Sequence, residues 1–71
     1  MTPAEIKSRC DDLATRLDRA IFDLQELSPC LALRADQRSA DEAVLNLSWV
    51  RDTCTMIGLH ANKKVEEESA S

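Results

Sequence analysis

Ile6, Cys10, Leu13, Leu17, Ala20, Leu24 and Leu27 recur at alternating spacings of four and three residues. Only a helix puts residues so spaced on one side, because its turn brings the chain back to the same face after three or four steps. A heptad seam sustained over this length predicts a helix that must lay the seam against another helix. Ala14 and Ile21 widen it on one side, as in the helices of bundles. Thr2-Pro3-Ala4-Glu5 reads as its start, with Thr2 as N-cap, Pro3 in the first turn and Glu5 reaching back. Ser28-Pro29 ends it, since a residue before proline is steered out of helical geometry. Helix 1 is therefore expected over about 3–27. Its far side holds Glu5–Arg9, Asp12–Arg16 and Arg19–Asp23, opposite charges four apart that suit a solvated face. Phe22 falls about 140° from Leu17, off the seam, and is expected as a flank contact.

A second helix follows, and its start is less sharply marked. LALRADQR consists mostly of good helix formers, so Ser28-Pro29 could open the helix directly. Ser39-Ala40-Asp41-Glu42 could equally cap it later. Asp36 would lie on the core face of an unbroken helix, which predicts an irregularity between 34 and 39. Gly58 is the only glycine and stands where a left-handed C-cap would stop the helix. Helix 2 is expected over about 30–58, completing a hairpin domain over 1–61. The polar segment 62–71, NKKVEEESAS, is expected to be a disordered acidic tail.

Helix 2 carries apolar residues on two sides. Ala40, Ala43, Val44, Leu47, Val50, Cys54 and Ile57 form one stripe at about 100° per residue. Leu45, Trp49 and Met56 fall on nearly the opposite side, among Arg38, Glu42 and Asp52. The first stripe suits a core. The second holds the only tryptophan of a chain with just two aromatic residues. Interfaces are enriched in Trp, Met and Arg, so Leu45, Trp49 and Met56, rimmed by Arg38, Glu42 and Asp52, are candidate partner-binding residues. The competing reading packs this strip within a homodimer or, after a rotation, against helix 1. Arg51 lies about 40° from Leu47, at the edge of the core stripe. It either snorkels there, pairs with a carboxylate or contacts an anionic ligand.

A chain of 71 residues is at most one small domain and is marginal without further burial. Two helices leave the wide sides of their stripes, including Ile21 and Val44, partly wet. Pairing two hairpins into a four-helix bundle would cover them. The expected fold is thus an all-α antiparallel hairpin that homodimerises. Its core and dimer contacts would come from Ile6, Cys10, Leu13, Leu17, Ile21, Leu24, Val44, Leu47, Val50, Cys54 and Ile57.

The net charge of −4 argues against a nucleic-acid backbone or an anionic membrane as partner. No apolar run reaches membrane-span length, and the N-terminus lacks the layout of a signal peptide, so a cytoplasmic location is expected. Cys10, Cys30 and Cys54 are odd in number and widely spaced, a poor disulfide framework and a poor zinc site. Cys10 and Cys54 are in phase with the stripes and expected to be buried; Cys30 is expected to be accessible. There is no glycine-rich phosphate loop, and His60, the only histidine, lies beyond the expected helix end. No catalytic residue, cofactor or metal is expected, and the chain reads as a non-enzyme.

In length, two-helix pattern and acidic balance over residues 3–58 the chain resembles small phage-encoded helical-hairpin inhibitors of the quorum-sensing anti-activator type. That resemblance implies a homodimer, in the host cytoplasm, that disables a host transcriptional regulator, for example by covering its DNA-binding face. It rests on layout, and no functional residue is carried over from it. Two other classes remain open. One is an oligomeric sponge for an anionic nucleotide signal, held by Arg34, Arg38 and Arg51. The other is a purely structural assembly subunit.

Overall fold

A computed structural model describes residues 1–70. It has two α-helices, α1 (Pro3–Leu27) and α2 (Arg34–Ala70), with one 3-10 turn (Ser28–Cys30) between them and no strand among the described residues. The helices lie antiparallel as a rod 58 × 16 × 14 Å across.

α1 begins where its capping residues place it. The Thr2 hydroxyl accepts from the Glu5 backbone N–H at 3.2 Å and donates to the Glu5 carboxylate at 3.2 Å. Of the three charge pairs expected on its outer side, Asp12–Arg16 closes at 3.1 Å among the described residues, and Lys7–Asp11 adds another at 2.8 Å. Pro29 opens only the 3-10 turn, after which Leu31 is extended (φ −76°, ψ 135°). The chain is pinned across this turn. Ser28 Oγ donates to Asp41 Oδ1 at 3.1 Å, and Gln37 Nε2 donates to the Leu31 carbonyl at 2.8 Å.

The second helix differs from expectation at both ends. It starts at Arg34 rather than near 30, so the irregularity falls at 31–33 and Asp36 sits exposed in the first turn. There a carboxylate favours the positive end of the helix dipole. Ser39 is not a cap; its hydroxyl donates back to the Ala35 carbonyl at 3.0 Å. Gly58 does not stop the helix, and no glycine has positive φ. It is buried in mid-helix, where a Cβ would meet Cys10 Cβ at 3.3 Å. The segment expected as a disordered tail is helical through Ala70, with Asn62 and Val65 half-buried; Ser71 lies outside the described residues.

The face along which the helices meet is also rotated from the expected one. On α2 it runs through Gln37, Ala40, Val44, Leu47, Arg51, Cys54, Gly58, Ala61 and Val65, all at least half-buried and spaced three and four apart. On α1 it runs through Cys10, Ala14, Leu17, Ile21, Leu24 and Ser28. Ile21 and Val44, expected to stay partly wet in a lone hairpin, are 6% exposed and half-buried respectively. Leu13, Leu27, Val50 and Ile57, expected on the core stripe, are instead exposed on the flank. Each stripe is wider than one neighbouring helix can cover. The edge that wins carries the small residues Cys10, Ser28, Ala40, Gly58 and Ala61, which let the backbones come close.

Gly58→Leu is therefore expected to force the helices apart at Cys10 and to lower the unfolding free energy by about 1–3 kcal/mol, as overpacked cores do. Urea unfolding followed by helical circular dichroism measures this. An unchanged midpoint would mean that Gly58 does not face α1.

Candidate functional site

With the seam defined, the remaining positions of each helix sort into edges. Cys10 lies level with Gly58, Asp18 with Arg51 and Ser28 with Asp41. One edge of the hairpin is polar: Asp11, Asp18 and Gln25 from α1 against Asp41, Ser48, Thr55 and Asn62 from α2. The other edge is apolar. Ile6, Leu13, Ala20 and Leu27 recur every seventh residue on α1, as do Ala43, Val50 and Ile57 on α2. The same register sets Leu13 beside Ile57, Ala20 beside Val50 and Leu27 beside Ala43. Leu13 and Ile57 are each 46% exposed and Val50 39%, a ladder of uncharged rungs open along one side.

The outward side of α2 holds the other exposed apolar group. Leu45 and Trp49 are each 71% exposed, Met56 is more than half exposed, and Arg38, Glu42 and Asp52 lie exposed around them. All six candidate partner-binding residues thus share the surface opposite the seam. Leu59, three residues beyond Met56 and 64% exposed, extends the strip. Sequence reasoning missed it by ending the helix at Gly58, although its spacing from Met56 carried the signal. From Leu45 to Leu59 the strip is about 21 Å long, at 1.5 Å rise per residue.

Arg51 sits on the seam itself. Its Nη1 donates to Asp18 Oδ1 at 2.7 Å, while its Nε reaches Asp52 Oδ1 at 3.4 Å. The hydrogen bond to Asp18, and then the nearby carboxylates of Asp18 and Asp52, raise the guanidinium pKa above its ordinary value against partial desolvation. A cation with a raised pKa keeps that stabilisation at every pH below its ordinary value and loses it only as the pH climbs through the raised one. Arg51 is therefore charged and engaged at working pH. It is not gathered with Arg34, which lies 17 residues away, about 26 Å along the helix.

Phe22, expected against a flank, is instead 58% exposed, in a shallow groove with Asp18, Arg19, Asp23 and Glu26. A second groove is lined by Arg9, Asp12, Leu13 and Arg16. Neither groove sets a histidine or a thiol beside a carboxylate. Cys10 is buried, Cys54 is half-buried and Cys30 is exposed. Among the described residues no three metal-ligating side chains cluster, and no helix is long and apolar enough to cross a membrane. No protein-family model, curated protein or solved structure matches the chain.

A guanidinium on a helix seam forgoes apolar contact that an aliphatic residue would make there, and Asp18 is exposed enough to stay hydrated without it. Arg51→Leu is expected to raise the thermal midpoint, whereas Arg51→Ala, which removes the aliphatic stem as well, lowers it. Thermal unfolding followed by circular dichroism checks both directions.

Proposed function

We propose that this chain is a small non-enzymatic interaction module: a homodimeric helical bundle that binds and occludes another protein. The observation that carries the reading is Trp49, the sole tryptophan, standing 71% exposed beside Leu45 and Met56 on a side that the chain's own fold leaves open. Truncating such an anchor commonly costs at least about 2 kcal/mol of binding.

Dimerisation is supported separately. Among the described residues no side chain is fully sealed, and the buried apolar ones are Cys10, Ile21, Ala40 and Ala61. A compact chain of 7.9 kDa exposes about 4,400 Å², whereas this one exposes 5536 Å². The apolar ladder of Leu13, Ala20, Leu27, Ala43, Val50 and Ile57 is the natural place for a second copy. Over the length of α1 the whole side that carries the ladder measures about 600 Å², taking 1.5 Å per residue and the 16 Å width of the hairpin, so a pair would bury at most about 1,200 Å². The acidic balance, with the candidate strip turned outward, suits a target whose own surface is basic, such as the DNA-binding face of a regulator. The module would then act as an inhibitor or anti-activator by steric cover.

Sedimentation at micromolar concentration is expected to give a dimer, and Val50→Arg on the ladder a monomer. Trp49→Asp should preserve helicity and the dimer while abolishing capture of the partner protein. A monomeric parent protein would remove the bundle. Undiminished capture by Trp49→Asp would remove the docking strip.

A further inference from the structure

The continuation of α2 past Gly58 turns the outward strip into a second seam. Leu45, Trp49, Asp52, Met56 and Leu59 are spaced four, three, four and three, all on one exposed side. Such a stripe is only two residues wide, the width that a single facing helix covers in a coiled coil. Beside it, Thr53 Oγ1 donates to the Trp49 carbonyl at 2.9 Å and Thr55 Oγ1 to the Arg51 carbonyl at 3.1 Å. These hydroxyls already have partners, so covering them leaves no donor unpaired.

Asp52 stands in the middle of this seam with its side chain 71% exposed. Arg51 reaches only its Oδ1, at 3.4 Å, and bonds more closely to Asp18 at 2.7 Å. A second copy laid in register along the strip, parallel or antiparallel about its centre, would set Asp52 against its own counterpart, and like charges at a seam repel. The ladder on the hairpin's edge carries no such charge. The two open apolar faces therefore differ in what they accept.

We infer that the outward seam of α2 docks one amphipathic helix of a partner protein, with a lysine or arginine of that helix opposite Asp52. The inference rests on the docking-strip reading above and adds the partner's local structure and charge. Leucines on a matching four-three seam would pack around Trp49 and Met56 while the cation fixes the register.

The test titrates two synthetic helical peptides of about 21 residues, six turns, into the full-length protein. They share a leucine seam and differ only in arginine or glutamate at its central position. Trp49 reports binding by its fluorescence. The arginine peptide is expected to shift the emission to the blue and saturate, with the glutamate peptide about tenfold weaker or worse. Asp52→Asn should narrow that gap and Asp52→Arg should invert it. Equal affinities, or a preference unmoved by Asp52→Arg, overturn the cation. Binding by neither peptide overturns the helical occupant. Trp49→Asp, read by co-sedimentation of labelled peptide, separates the two levels. If it binds the arginine peptide as tightly as the parent does, the docking strip has failed as well; loss of binding locates the peptide there.

Discussion

The close approach of α1 and α2 at their small residues is the constraint on which the other features depend. Cys10 against Gly58, with Ser28, Ala40 and Ala61 on the same seam, lets the two backbones draw together near both ends of the shared length. That contact fixes the rotation of each helix about its axis. Once the rotation is fixed, every other side chain has its place: Arg51 on the seam, Asp18 on the polar edge, Leu13 and Ile57 on the apolar edge, Trp49 outward. A glycine inside a helix costs about 1 kcal/mol of propensity relative to alanine. Here its position is explained by what lies 3.3 Å from where a Cβ would stand.

The hairpin is amphipathic as a unit, beyond the amphipathicity of its helices. Its polar edge is stitched by Arg51–Asp18 and Ser28–Asp41, whose partners come from opposite helices. Its apolar edge has no such bonds and only half-covered aliphatic rungs. A two-helix rod in water has a thin interior whatever its sequence, because each helix has one neighbour. Concentrating uncharged residues on one edge gives that rod a direction in which further burial is possible. It also keeps the charged groups where water can reach them.

The sequence made the helices legible, and it made the outward position of Trp49 legible as well. Both follow from periodicity, which depends only on the helical repeat. The choice of seam was legible only in part. Cys10, Leu17 and Leu24 of the expected seam do face α2, but Leu13 and Ile21 are both apolar and both within reach of a stripe centred on Leu17; periodicity ranks them alike, and the larger, regular leucine series turned the expected seam toward Leu13 and Leu27. The decision lies with the small residues of both helices together, a pairwise property that reading one helix at a time does not expose. Gly58 misled for a related reason. Glycine signals a helix end through its backbone freedom, yet here it serves by lacking a side chain, and only the facing Cys10 distinguishes the two uses. With the end misplaced, Leu59 and the four-three continuity of the outward strip stayed hidden.

Electrostatics bears differently on the two open faces. Were two copies to close over the ladder as proposed, they would bring together a formal charge of −4 each, with Arg9, Asp12 and Arg16 beside Leu13 at the rim of that contact. Each hairpin is 14 Å through its thinnest dimension, so charges on the far sides of a closed pair stand well beyond the Debye length of about 8 Å at physiological salt. Repulsion between those far groups would be largely screened, leaving apolar contact and the rim charges beside Leu13 to decide the association. On the outward seam the geometry is reversed. Asp52 lies within the strip, so any occupant brings its own groups inside the screening distance and into a partly dehydrated gap. There a cation gains and an anion loses more than either would at an open surface. In the proposed arrangement charge would thus bear less on self-association than on recognition of another protein.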